Sequence, residues 1–245
     1  MKRTIYFLLA LLVSGTMFMG CEEKLADDPV ADQVAEDIAS TLGSSTSGIS
    51  SEIQGVSLMV NLYSLGVKSG GITDTVYSTA KSFISLNEEG TQITFRYDYD
   101  LNWGLVLENS ILHAYYNSSI SGSFDAPRIS ASDERSTSWK LTGLGGGSTE
   151  YILNGRSNRA GTTQLKIEDQ VEITSTSDIV FNNVTVNKET LEITGGSLDW
   201  AIAGVIDGES FSYDATVVYK GDNLAQININ GHKYSVNIEI GEIEE

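Results

Sequence analysis

From about residue 72 to the C-terminus, polarity alternates with a period of two, and that pattern constrains the fold more than any other feature of the chain. Ile93, Phe95, Tyr97 and Tyr99 alternate with Thr94, Arg96, Asp98 and Asp100. Leu198, Trp200 and Ile202 alternate with Asp199, Ala201 and Ala203. Phe211, Tyr213, Ala215, Val217 and Tyr219 repeat the pattern, as do Tyr234, Val236, Ile238 and Ile240. Successive side chains of a strand point to opposite faces, so each segment has one dry and one wet face, as in antiparallel sheets. Asp207-Gly208 and Asn230-Gly231 carry the residues that tight hairpin turns need at positive φ. Asn87 to Gly90, Asn187-Lys188 and Gly221-Asp222-Asn223 are further turn candidates. At ordinary strand lengths this gives about ten strands, and a sheet that large curls or closes. The expected fold is therefore mainly β: an antiparallel meander of about ten strands forming a strongly curved sheet or barrel, with one or two N-terminal helices packed on it. No fixed-period repeat argues for a solenoid or propeller.

The helices are expected ahead of the sheet. Asp28 is a good N-cap, Pro29 fits the first helical position, and Val30, Val34, Ile38 and Leu42 recur every fourth residue. Gly43 is a plausible stop and Ser44 to Gly48 a flexible joint. A second segment, about Ser51 to Leu65, carries Ile53, Val56, Leu58, Met59, Val60, Leu62 and Tyr63. It reads as a helix in preference to a buried strand, covering an open face of the sheet. The organisation is 1–20 signal peptide, 21–28 acidic tether, 29–65 helical segment and 66–245 antiparallel β domain.

Residues 1–20 have the form of an export signal. Lys2 and Arg3 precede an apolar run from Ile5 through Val13, too short to span a bilayer, and a small residue, Gly20, stands before Cys21. Gly20-Cys21 at the end of this run resembles the lipobox of bacterial lipoproteins, although Phe18 and Met19 stand where leucine and a small residue are commonest. The resemblance covers residues 1 to 21. It implies cleavage between Gly20 and Cys21 and lipidation of Cys21, with palmitate-type acyl chains holding the protein on a membrane. Cys21 is the only cysteine, so no internal disulfide forms, and acylation would remove a thiol exposed to an oxidising compartment. Glu22-Glu23-Lys24 followed by Asp27-Asp28 resembles the surface-export signal of lipoproteins in the Bacteroidetes group; a solvated acidic tether is the plainer reading. The implied location is the cell envelope, anchored in the outer membrane, with the periplasmic or cell-surface face left open.

Charge narrows the partners. The formal net charge is −18, and removing Lys2 and Arg3 with the signal deepens it by two. A chain this acidic with scattered basic residues repels phosphate backbones, which excludes nucleic acid as a partner. The remaining partner classes are an envelope protein, a glycan or a lipid.

No residue set points firmly to catalysis, a metal or a cofactor. His113 and His232 could share a metal with a carboxylate only if the fold brings them together, and no close ligand spacing supports it. Asp98 and Asp100 would share one face of a strand, and Asp133-Glu134 is a second acidic pair; such pairs could serve glycoside hydrolysis, but strand alternation in an acidic chain also makes them as a solvated face. No Gly-x-Ser-x-Gly elbow is present. Gly143 to Gly147 lacks the residues that close a phosphate loop and reads as a mobile hairpin tip. Trp103, Trp139 and Trp200 could line a sugar- or lipid-binding face, but cross-strand core packing is the simpler role. The expectation is that the chain is not an enzyme.

Trp139, Leu141, Gly143 and Leu144, then Tyr151, Leu153, Asn154, Gly155, Arg159 and Gly161, form two strands around a glycine loop. The arrangement resembles a pattern in uncharacterised β-rich lipoproteins of the Bacteroidetes and related groups, which implies no activity. Two functional expectations follow. One is a non-enzymatic membrane-anchored domain with a binding or scaffolding role. The alternative is a lipid or hydrophobic-ligand carrier with a pocket between helices and curved sheet, a shape similar to the half-barrel lipoprotein-localisation carriers.

Overall fold

The computed structural model describes residues 28–67, 75–85, 92–108, 111–166 and 170–244, with 75–85 and 64–67 described by backbone alone. The cleavage site Gly20-Cys21, the tether to residue 27 and the turn candidate Asn87 to Gly90 lie outside the described residues.

The N-terminal segment forms helix α1 (Pro29–Leu42) and helix α2 (Ile49–Val67). Among the described residues eleven strands follow: β1 (Thr75–Ser85), β2 (Thr94–Glu108), β3 (Ile111–Asp125), β4 (Ile129–Thr142), β5 (Glu150–Leu165), β6 (Glu172–Asn187), β7 (Ile193–Ile206), β8 (Glu209–Gly221), β9 (Leu224–Ile229), β10 (His232–Asn237) and β11 (Glu242–Glu244). Each pairs antiparallel with the next, and the sheet runs from β1 to β11 in chain order. It is a curled, open meander with β1 and β11 at its edges. The hairpins at Asp207-Gly208 and Asn230-Gly231 take the expected left-handed conformation, with φ of 50° and 88°, and of 49° and 86°. Ile240 departs from the expected strand: β10 ends at Asn237, the backbone turns, and Ile240 is exposed.

Helix α1 starts as its sequence dictates. The Asp28 carboxylate accepts a hydrogen bond from the Ala31 N–H at 3.1 Å, and Pro29 sits in the first turn. The Tyr213 hydroxyl donates to the same carboxylate at 3.1 Å, fixing the helix entry on β8. Burial pushes the Asp28 carboxyl up, but the hydrogen bonds from Ala31, Tyr213 and Asn230 outweigh it and hold it below the usual carboxylate range. A carboxyl with a depressed folded-state pKa stabilises above its unfolded pKa and loses that contribution as pH falls through the folded value. Asp28→Ala should therefore cost about 1 kcal/mol at pH 7 and much less at pH 2, read from urea midpoints at the two pH values.

Val34, Ile38 and Leu42 are buried, as the four-residue spacing requires, and so are Asp37 and Thr41 along the edge of that stripe and Ser40 beyond it. The curled sheet surrounds the helix on more than one side. Arg128 in the β3–β4 turn lies 3.9 Å from Glu36 of α1 and 3.9 Å from Glu242 of β11, so this turn meets both the helix and the last strand. The serine-rich joint is pinned to the sheet's end. Ser44 N–H donates to the Ile238 carbonyl and Ser45 N–H to that of Glu239, each at 2.9 Å. Gly43 and Gly241 let the backbones meet there; a Cβ on Gly43 would stand 2.8 Å from the Gly241 Cα. Helix α2 buries Ile49, Ile53, Val56 and Val60 and leaves Leu58, Leu62 and Tyr63 exposed.

Candidate functional site

The face of the sheet under the helices is filled. Trp139 and Trp200 are 2% and 1% exposed, and Tyr151, Phe181, Leu153 and Ile179 close the layer around them. Trp139 stacks on Tyr116 with ring centroids 5.3 Å apart and meets Phe181 edge-on at 5.0 Å. Trp103 is also buried, with Tyr63 of α2 packed edge-on at 4.9 Å. The tryptophans therefore belong to the core.

Two arginines lie in this core, directly opposite each other on neighbouring strands: Arg135 of β4 and Arg159 of β5. Like charges in that position repel, and each is answered by a carboxylate from a helix. Arg159 lies 3.4 Å from Asp37 of α1 and donates from Nε to Asp133 at 3.0 Å. Thr163 and Ser175 donate their hydroxyls to Asp37 at 2.5 and 3.0 Å. Arg135 Nε stands 3.2 Å from Glu52 Oε2 of α2, an ion-pair contact without hydrogen-bond alignment. Tyr116 and Ser118 donate to the other Glu52 oxygen at 3.0 and 2.5 Å. Burial weakens each guanidinium's hold on its proton, but Glu52 and Asp133 around Arg135, and Asp37 and Asp133 around Arg159, outweigh it and raise both above the ordinary value. Burial, and then Asp133, pushes the Tyr97 hydroxyl far up. The network joins both helices to β3, β4, β5 and β6.

This corrects one expectation. Asp133-Glu134 is not a solvated acidic pair: the strand pleat sends Asp133 into the core with Arg159 and leaves Glu134 on the open face. The signal was in the sequence, since Asp133 and Arg135 share the phase of Ala131, Thr137, Trp139 and Leu141. Asp37, three residues after Val34, and Glu52, three after Ile49, stand beside the buried stripes of their helices, but no local spacing names their partners. Asp98 and Asp100 do share an exposed face of β2. His113 and His232 stand on β3 and β10, and His113 lies 4.0 Å from Glu108. Among the described residues no group of three His, Cys, Asp or Glu could hold a metal ion. Gly143 to Gly147 forms the β4–β5 hairpin tip, held by Lys188, which donates to the Gly145 and Ser148 carbonyls at 3.2 and 2.7 Å.

The open face of the sheet has the opposite character. Register places Asp100, Ser119, Ser136, Asn158, Asp178, Ala201 and Asp214 side by side across β2 to β8. Asp98, Ser121, Glu134, Ala160, Thr176, Ala203 and Ser212 form the adjacent line. Neighbouring strands lie about 4.8 Å apart, and short side chains leave a hollow of about 630 Å³ over β3 to β8. A second hollow of about 340 Å³ over β2 to β5 shares Glu134 and Ala160 with it. Arg156 beside the first is paired with Asp178 at 3.2 Å. The lining offers hydroxyls, amides and carboxylates at regular spacing, which suits a partner rich in hydroxyl or amide groups. Sequence reading missed this site because it exists only once seven strands are in register.

No family model, no curated protein and no solved structure matches this chain. Among the described residues no helix is long and apolar enough to cross a membrane.

Proposed function

We propose that the chain is a non-enzymatic, membrane-anchored lipoprotein of the cell envelope, held by lipid on Cys21, whose sheet binds an envelope partner through its open face. The observation that carries this reading is the contrast between the two faces. One is filled and locked to the helices by buried ion pairs. The other presents a polar hollow of about 630 Å³, within the size range of ligand sites. The carrier reading needs room between helices and sheet, where Ile38, Ile53, Trp139 and the two arginine networks instead pack against one another. The partner is expected to be a glycan or a polypeptide offering hydroxyl or amide groups to Ser136, Asn158 and Asp178.

The test labels the chain with an acyl probe in a bacterial host and fractionates the membranes. Label should enter the native chain and be lost from Cys21→Ala, which should leave the membrane fraction. Ala201→Arg, on the open face, should keep the label and the membrane association. It should also reduce recovery of the crosslinked envelope partner at least tenfold. Label that persists in Cys21→Ala removes the anchor. Undiminished partner recovery with Ala201→Arg removes the open face as the binding site.

A further inference from the structure

A smaller pocket of about 350 Å³ lies where the first turn of α1 meets the β7–β8 hairpin. Pro29, Val30, Ile206 and Phe211 supply its apolar lining, and Asp207 and Glu209 stand at its rim. Both carboxylates are exposed, and neither has a cationic partner among the described residues. Gln33 and Ser210 add two neutral polar side chains, so the pocket joins an apolar wall to a negative mouth.

Its place in the chain sets what it meets. Cys21 and Asp28 are seven residue steps apart, a span of at most about 25 Å. Asp28 immediately precedes the α1 turn that forms one wall. A lipid on Cys21 would therefore hold this end of the domain within about 25 Å of the leaflet. An anionic headgroup would be repelled by Asp207 and Glu209, whereas a headgroup ending in an ammonium would be attracted.

We propose that this pocket receives an acyl chain of an amine-headed phospholipid from the leaflet that holds Cys21, with Asp207 and Glu209 facing its ammonium group. The inference rests on the anchored reading for its supply of lipid. Each methylene moved out of water contributes, so even a partly inserted chain fixes the orientation of the domain on the membrane. With the hairpin seated, the two faces of the sheet would stand in a defined relation to the bilayer.

The experiment uses the full chain in nanodiscs of equal parts phosphatidylethanolamine and phosphatidylglycerol with identical acyl chains. A photoreactive benzophenone side chain replaces Gln33, and the adduct is weighed after illumination. The expected product is a phosphatidylethanolamine adduct in at least tenfold excess over phosphatidylglycerol. Val30→Asp puts a charge in the pocket while suiting the first turn of a helix. It should bring the adduct to background with an unchanged circular dichroism spectrum. Asp207→Asn with Glu209→Gln should make the two lipids equal; asparagine tolerates the positive φ of position 207. The proposal is overturned by no lipid adduct, by equal labelling of both lipids in the otherwise unchanged chain, by an adduct indifferent to Val30→Asp, or by internal crosslinking to the protein's own anchor. A chain that does not co-elute with the discs refutes the anchor reading instead. Twelve-carbon lysophosphatidylethanolamine and lysophosphatidylglycerol then take the place of the discs, and the same adduct ratio decides.

Discussion

Asp37→Ala is expected to lower the unfolding free energy by about 3–5 kcal/mol, the usual cost of breaking one side of a buried ion pair. Asp37 is fully buried, and both of its oxygens are engaged: Oδ1 by Thr163 and Arg159, Oδ2 by Ser175 and Arg159. Removing it leaves Arg159 with one paired carboxylate, Asp133, and with the Ser175 and Thr163 hydroxyls, which themselves lose the oxygen they donate to. It also exposes Arg159 to the field of Arg135, directly opposite on β4. The urea midpoint should fall accordingly, with an unchanged slope, because the same surface is exposed on unfolding. Asp37→Asn should cost less than Asp37→Ala, since an amide oxygen still accepts from Thr163, but it cannot answer the guanidinium charge. The informative control removes all three charges of the Asp37–Arg159–Asp133 set. Asp37→Leu with Arg159→Met and Asp133→Asn should recover most of the loss, because buried ionic groups replaced together by neutral residues of similar size are often neutral or better. If the triple variant is no more stable than Asp37→Ala, the damage comes from packing of α1 and not from the uncompensated charge.

The strands were legible because the pleat writes burial into every second residue. Leu198, Trp200 and Ile202 are buried and their neighbours Asp199, Ala201 and Ala203 exposed, as alternation alone requires. The hairpins at Asp207 and Asn230 were legible for a similar reason: few residue pairs tolerate two successive positive φ values. Helix α1 was legible from its cap and its four-residue stripe. The partners of its buried polar residues were not, because a stripe shows which residues face the core and cannot show what a curled sheet sets against them. Arg159 finds Asp37 122 positions away, and Tyr116 finds Glu52 64 positions away. Those separations are set by how the sheet curls, which no local pattern specifies. The open-face hollow has the same origin, since Asp100 and Asp214 become members of one line only through six successive strand registers.

Trp139→Ala should cost a further 3–5 kcal/mol in its own right, the range for emptying a large aromatic site. The ring is held between Tyr116 and Phe181, and the backbone has been shaped to admit it. Gly155, opposite Trp139 on β5, sits where the β5–β6 register shifts, with φ of 150°, and a Cβ there would stand 2.9 Å from Trp139 Cδ1. With strand backbone on one side and helix α2 pinned by Glu52 on the other, the walls cannot collapse far, which places the loss toward the upper end of the range. Trp139→Phe tests the same site more gently. The Trp139 Nε1–H is buried without a hydrogen-bond partner among the described residues, a defect that costs about 1–3 kcal/mol. Phenylalanine keeps an aromatic ring between Tyr116 and Phe181 and removes that orphan donor. The loss of volume and the relief of the donor oppose each other, so Trp139→Phe should lie within about 1 kcal/mol of the native chain. Far-ultraviolet circular dichroism in urea is the right probe, because tryptophan fluorescence changes with the substitution itself. Equal losses for Trp139→Phe and Trp139→Ala would mean that the indole is held by a polar contact, and the account of this layer as pure stacking would fail.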